Sequence, residues 1–247
     1  MNDVIALLKQ HRSIRRFKKQ ALDDGMLEHI VQAGQSASTS SFIQATTVVR
    51  VTKQELKEQF VELSGGQKYI SSAAEFLVFC ADLNRNKQRI EHIGEDDADY
   101  SWTEQFIAAS VDVALFAQNS VIAAESLGLG CCYIGGIRNK PELVTELLSL
   151  PQLVYPVFGL CVGFPDQEPL PKPRLPMGAV LHENAYVSAN KHELLLDEYD
   201  EHIKQYYINR SKGRLEHTWS EQMYTQSLNQ TRPRIRKSLN DKGFAVK

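Results

Sequence analysis

Several features that would settle a function early are missing from this chain. Lys and Arg number 28 against 30 Asp and Glu, a formal charge of −2, so the balance does not mark a protein that coats nucleic acid. No apolar run reaches the ~20 residues that a membrane-spanning helix needs. The start lacks a charged-then-apolar leader and the end lacks a prenylation or retention motif, so a cytoplasmic address is expected by elimination. The four cysteines, Cys80, Cys131, Cys132 and Cys161, form no Cys-x-x-Cys pair and have no histidine at zinc-finger spacing. No metal site is expected from them, and they read as free, buried thiols that pack as small hydrophobes.

Catalytic signatures are scarce as well. Gly128-Leu129-Gly130 is the nearest approach to a dinucleotide-binding glycine motif, but it closes a helix and has Tyr133 where the third glycine would stand. A Walker loop is missing, His182-Glu183 is not followed by a second histidine at metalloprotease spacing, and Gly-x-Ser-x-Gly does not occur. An enzyme built from this chain therefore needs chemistry that a cofactor supplies, and no catalytic side chain is expected.

What is present is an ordinary globular composition, 43% apolar and 23% charged, long enough to bury a core without staples. The spacing of Val4, Ile5, Leu7 and Leu8 predicts a helix ending near Gln10; Leu27, Ile30 and Val31 predict a second, closed by Gly34. Strands are expected over Thr46–Val51, Phe76–Cys80, Cys131–Ile134 and Tyr155–Val162. An exposed helix is expected over Lys53–Leu63, broken at Gly65-Gly66. A polar excursion is expected around residues 84–102. From Thr103 to Leu127 the chain is alanine-rich and apolar almost all round, which predicts a helix walled in on every side. Asn139 is expected to cap a helix that starts at Pro141. Five prolines between Pro165 and Pro176 hold that stretch extended. Beyond it are expected a helix around Leu194–Tyr207, a basic loop Arg210–Arg214 and terminal helices. Few strands and a buried helix favour an α+β fold over a doubly wound sheet.

Four clusters carry possible chemistry, and each has a plain alternative. His11, Arg12, Ser13, Arg15 and Arg16 follow the first helix, where guanidinium groups can grip a phosphate or cap a helix C-terminus. Lys172 and Arg174 sit in the stiff proline-rich frame and are either an anion site or a solvated linker. Tyr133-Ile134-Gly135-Gly136 follows a strand, where paired glycines let backbone approach a flat ligand or merely turn. Thr39-Ser40-Ser41 offers several hydroxyls.

Together these blocks resemble a known family. His11–Arg15, Ser36–Phe42, Gly65-Gly66-Gln67, Tyr133–Asn139 and Lys172–Pro176 fall in its order and spacing. His182-Glu183-Asn184, Tyr206-Tyr207 with Arg210, Thr218-Trp219-Ser220 and Arg232-Pro233 extend the match almost to the last residue. The chain is similar to the oxygen-insensitive NADPH nitroreductases and the NADPH–FMN flavin reductases. That resemblance implies a single α+β domain over residues 1–247, with a central mixed or antiparallel sheet, a long central helix and a helical extension around residues 190–247. It also implies an intertwined homodimer with tightly bound FMN. His11, Arg12, Ser13 and Arg15 would hold the phosphate and ribityl chain, helped by Lys172 and Arg174. Gln67 would bond the flavin ring, Tyr133, Ile134, Gly135 and Gly136 would run beside it, and Thr39, Ser40 and Ser41 would reach across from the partner. Arg138, Arg210 and Arg232, with Ser41, would line the NADPH and acceptor pocket, and Arg210, Lys212 or Arg214 would meet the 2′-phosphate.

The implied activity is two-electron, ping-pong hydride transfer from NADPH to nitroaromatics and quinones, with flavin carrying the chemistry. Release of reduced flavin to another enzyme is an alternative, as is a flavin-binding module without turnover. The Arg232–Lys237 run, read as a helix face at a dimer interface, is the only feature that suggests nucleic acid.

Overall fold

Four segments rich in β-branched, aromatic and cysteine residues pair into one sheet: β1 (Thr46–Arg50), β2 (Glu75–Asp82), β3 (Gly130–Ile134) and β4 (Val154–Gly163). In the computed structural model, which describes residues 2–229 and 231–247, their spatial order is β1-β2-β4-β3 and every pairing is antiparallel. The eight residues of β2 are all buried, because both faces of the sheet are covered. Leu77, Phe79 and Ala81 enter one core with Tyr155, Leu160 and Val162. Phe76, Val78 and Cys80 alternate into a second with Cys132, Ile134 and Cys161. A strand covered on both sides must be apolar at successive positions, which accounts for the unbroken runs in the sequence.

Pro156 lies in β4, an inner strand, where its missing N–H would break the ladder. The register slips there, with Phe79 opposite Phe158 and Cys80 opposite Pro156, so Val157 bulges out of the pairing. Its freed carbonyl accepts from the Arg138 guanidinium.

The helices of the first unit (Met1–Glu168 with Arg232–Lys247) are α1 (Asp3–Lys9), α2 (Met26–Gln35), α3 (Gln54–Leu63), α4 (Tyr69–Ser72), α5 (Asn84–His92), α6 (Thr103–Ser126) and α7 (Pro141–Leu147). The second unit, Pro169–Thr231, holds α8 (Glu193–Ser211) and α9 (Trp219–Asn229). The last helix, α10 (Ile235–Asp241), returns to the first unit.

Five expectations need correction, four of them local and the fifth the all-round burial of α6. Gly34 does not close α2; it lies inside the helix, where a Cβ would stand 2.2 Å from the Phe116 ring, so its job is to let α2 cross α6 closely. Asn139 does not cap α7: its amide donates to the Leu63 carbonyl at 3.4 Å and accepts from Arg232 at 3.2 Å. Arg210 and Ser211 belong to α8 rather than to a loop, which starts at Lys212 in a left-handed conformation. Arg232, Pro233 and Arg234 precede α10, and of that run only Ile235, Arg236 and Lys237 lie on it.

Helix α6 is walled in on one side only by this chain. Ala109, Val113, Ala117, Val121 and Ala124 face the core, while Ile107, Val111 and Leu115 form an exposed stripe. By length and composition it is apolar enough to cross a bilayer. A buried acid argues for a core role instead: Asp112, 1% exposed, accepts from the Ser40 and Ala45 backbone amides at 2.8 and 3.3 Å.

Candidate functional site

The basic segment after α1 lies along the outer edge of β3. The Ile14 amide donates to the Cys131 carbonyl at 2.9 Å, and Gly130 has no room for a Cβ because Ile14 occupies that space. Phe17 then bridges to Pro165, and Lys18 donates to the Phe164 carbonyl. An isolated edge would be a pairing hazard; here it is covered by the residues expected to hold an anion.

Within this segment the side chains are fixed individually. His11 Nδ1 meets Glu125 of α6 at 2.7 Å. Arg12 donates to the Gln10 carbonyl at 3.1 Å and stands 3.9 Å from Glu168. The Arg15 guanidinium reaches the Tyr69 phenol and the Cys132 thiol, holding down groups that burial pushes up. Ser13 is half-buried between them in sequence.

Past β3, Gly135–Asn139 forms a tight helical turn. A Cβ on Gly136 would stand 2.7 Å from the Ser64 carbonyl and 2.9 Å from Gln67 Nε2. The glycine therefore admits the Ser64–Gln67 loop, whose own glycines, Gly65 and Gly66, take positive φ of 78° and 81°. Gln67 donates to the Ser64 carbonyl at 3.0 Å and accepts from the Tyr69 hydroxyl at 2.6 Å. Ile134 is fully buried; Tyr133 is half-buried edge-on to Phe158, and burial raises its phenol pKa. Arg138 lies beneath Gly135, 3.3 Å from its absent Cβ. Burial and the neighbouring charge of Arg232 both lower its pKa.

The structure thus brings Arg15, Tyr69, Gln67, Gly136 and Cys132 together, with His11 and Arg12 continuing along the same edge. It does not join Thr39, Ser40 and Ser41 to them by any hydrogen bond among the described residues; that loop is tied to Asp112 instead. Ser41, Phe42 and Gln44 all have positive φ (46°, 58° and 50°), and Phe42 is 81% exposed. Strain of that kind in non-glycine residues collects at functional loops.

In the second unit, Lys172 is held by the Tyr207 hydroxyl at 2.8 Å and lies over its ring. With Arg174, Tyr199, Trp219 and Met223 it lines a cavity of about 560 Å³. Arg210 is exposed on the last turn of α8, and Arg214 bonds back to the Ser211 carbonyl at 3.1 Å.

Tyr69, Glu125 and Asp112 escape a reading of the sequence. Each acts on a motif residue, but only Tyr69 is close to its partner along the chain. No group of three or more metal-ligating side chains occurs among the described residues.

A phosphorylated flavin suits what is there. Arg12 Nε, Thr39 Oγ1 and Ser64 Oγ are buried with no partner among the described residues, and an unanswered buried donor costs about 1–3 kcal/mol. An anionic, acceptor-rich ligand would satisfy such donors, and the guanidinium pair of Arg12 and Arg15 would offset its charge.

The chain as a whole is similar to known proteins. The chain is 45% identical over 247 residues to the oxygen-insensitive NADPH nitroreductase of Salmonella typhimurium, covering all of both chains. It is 41% identical over 245 residues to the NADPH-flavin oxidoreductase of Vibrio harveyi, covering 99% of each. The crystal structure of nitroreductase A from Vibrio parahaemolyticus matches with a TM-score of 0.91 at 43% identity, over 100% of both chains. The Nitroreductase family model matches residues 8–164 and that family's C-terminal domain matches residues 172–247, so this chain belongs to the nitroreductase family.

Proposed function

We propose that this chain is an FMN-dependent NADPH oxidoreductase that reduces nitroaromatics and quinones two electrons at a time. The observation that carries this reading is the meeting of Arg15, Tyr69, Gln67 and the Gly135-Gly136 turn at one edge of the sheet. When bound, FMN supplies the redox chemistry, taking a hydride from NADPH and passing electrons on to the acceptor. The chain's own residues bind and orient. His11, Arg12, Ser13 and Arg15 hold the phosphate and ribityl chain through charge-assisted bonds. Gln67 directs an amide N–H toward the ring, and the backbone of Tyr133–Gly136 runs beside it. Arg138 and Arg232, close enough that the charge of Arg232 adds to burial in lowering the pKa of Arg138, favour an anionic nucleotide. Selection of NADPH over NADH falls to Arg210, with Lys212 and Arg214 following it in sequence.

The working unit is a homodimer. Supporting this, the stripe Ile107, Val111 and Leu115 on α6 lies uncovered, as do Val4, Ile5 and Leu8 on α1. Apolar surface of that kind on neighbouring helices marks an interface. The cleft beside Arg12, about 220 Å³, is also smaller than the roughly 300–1,000 Å³ of ordinary ligand sites, so a second chain has a wall to supply. Thr39, Ser40 and Ser41, tied to α6 through Asp112, serve the partner's site. The chain acts as one nitroreductase domain elaborated by the excursion at residues 84–102 and the extension at 190–247. Its four buried free thiols suit a reducing, cytoplasmic address.

The test is an absorbance spectrum of the purified protein before and after anaerobic NADPH. Flavin bands that bleach at once support the reading. A colourless protein that takes up no added FMN overturns it. A second reading, delivery of reduced flavin to another enzyme, is favoured by the likeness to a protein named NADPH-flavin oxidoreductase. Turnover of free FMN well above that of a nitroaromatic or quinone would select it.

A further inference from the structure

The side-chain amide of Gln67 is held in one orientation, and two neighbours decide which. Its Nε2 donates to the Ser64 carbonyl at 3.0 Å; a carbonyl can only accept, so the nitrogen end must face Ser64. Oε1 is then left facing the Tyr69 hydroxyl at 2.6 Å, and the phenol has to be the donor. The Tyr69 oxygen keeps its own lone pairs, and positive charge reaches them. Burial outweighs the opposing pull of the Arg15 guanidinium and leaves this phenol pushed up to about 12. The Tyr69 hydroxyl therefore donates to Gln67 with the positive charge of Arg15 beside it.

One N–H of Gln67 is left over. Its nitrogen stands 2.9 Å from where a Cβ would sit on Gly136, so the spare donor belongs to the turn that follows β3. Hydrogen bonds in a chain polarise one another, and a phenol donating to Oε1 makes the amide N–H a stronger donor.

We propose that Tyr69 is a positioning residue that fixes Gln67 as a donor to the flavin ring and passes to it part of the positive charge of Arg15. This rests on the FMN reading above. A fixed, polarised donor binds the electron-rich reduced ring more tightly than the oxidised one, so the pair raises the tendency of the cofactor to accept electrons. Without the Tyr69 hydroxyl the amide loses one of its two restraints and the link to Arg15.

The experiment is the FMN midpoint potential of the holoenzyme, by dye-equilibrated reduction, for the unmutated protein, Tyr69→Phe, Gln67→Leu and the double variant. Tyr69→Phe should lower the ratio of reduced to oxidised FMN affinity by threefold to tenfold, which for a two-electron couple moves the potential negative by up to about 30 mV. Gln67→Leu should move it at least as far, and adding Tyr69→Phe to Gln67→Leu should move it no further. Tyr69→His, which keeps a donor, should recover most of the shift. The proposal is overturned if Tyr69→Phe retains FMN with an unchanged potential and flavin spectrum, or if its shift persists in full without Gln67. Loss of FMN from Tyr69→Phe that Tyr69→His does not restore would also overturn it, by assigning the side chain to packing. Failure of the underlying reading looks different, because the unmutated protein then holds no flavin at all.

Discussion

The His11 imidazole and the Glu125 carboxylate meet at 2.7 Å across 114 residues of sequence. Glu125 lies in the last turn of α6 with its side chain only 11% exposed, and its charge also raises the Cys131 thiol and the Tyr133 phenol after burial has done so. A carboxylate accepts only, so His11 Nδ1 carries the proton and Nε2 is left to meet a ligand. A phosphate also accepts only, so for Nε2 to bond it both ring nitrogens must donate, one to Glu125 and the other to the phosphate. Glu125→Gln should therefore weaken FMN binding about tenfold, or ~1.4 kcal/mol, and leave binding of riboflavin, which has no phosphate, unchanged. Flavin-fluorescence titrations check this, and an equal loss for both ligands would move His11 away from the phosphate.

Gly136→Ala should cost the cofactor more than it costs the fold. The added methyl would fall 2.7 Å from the Ser64 carbonyl and 2.9 Å from Gln67 Nε2. The first is backbone and cannot swing aside, so the Ser64–Gln67 loop has to retreat from the turn. Overpacking of this sort costs about 1–3 kcal/mol, but the displaced group is the amide proposed to face the ring. Flavin content after purification should fall severalfold, with a modest drop in melting temperature. Full flavin content in the variant would show that the loop position is immaterial to binding.

These sites also show which parts of the molecule could be read from the chain. β2 and β4 were legible because double-sided burial demands an unbroken apolar run, and α6 because alanine and valine recur through 24 residues. The nitroreductase fold, named from ordered blocks of motif, matches solved relatives over the full length. Gly34 was misread because a glycine that ends a helix and one that lets another helix approach look the same in one dimension. Asn139 was misread because its pattern suits a cap, yet its amide is drawn to Leu63 and Arg232. Glu125 and Asp112 left no local mark, since their partners lie 114 and 72 residues away. Tyr69 was passed over although only two residues from Gln67. Its role depends on Arg15, which the fold alone brings near.

The correction at Gly34 can be tested directly. Alanine gains about 1 kcal/mol over glycine inside a helix, which on local grounds predicts a stabilised protein. The new Cβ would meet the Phe116 ring at 2.2 Å and Ser120 Oγ at 2.5 Å, and α2 or α6 must shift to admit it. Overpacking costs about 1–3 kcal/mol, so the clash should outweigh the helical gain. Gly34→Ala should melt about 2–4 °C lower for each net kcal/mol lost, as thermal denaturation will show. A higher melting temperature would mean that the two helices slide apart freely.

Asp99 offers a prediction in pH. Its carboxylate accepts from Lys247 Nζ at 2.6 Å and from the Ser101 hydroxyl and amide at 2.6 and 2.9 Å. Lys247 first, and Ser101 next, hold the acid well below its ordinary value of 3.8. The folded form therefore keeps this group ionised to lower pH than the unfolded chain does. The stabilisation is fully present above the unfolded value and is lost as pH falls through the folded one. Lys247 also lies over the Trp102 ring, and its carbonyl accepts from Thr103 at 2.9 Å, so the contact pins the last residue to the start of α6. Asp99→Asn should melt lower than the unmutated protein at pH 7, with the gap narrowing below pH 3.8. The pair is exposed, so salt should shrink the gap at neutral pH as well. A gap that ignores both acid and salt would show that the charge on Asp99 is irrelevant and that only its hydrogen bonds to Ser101 hold the segment.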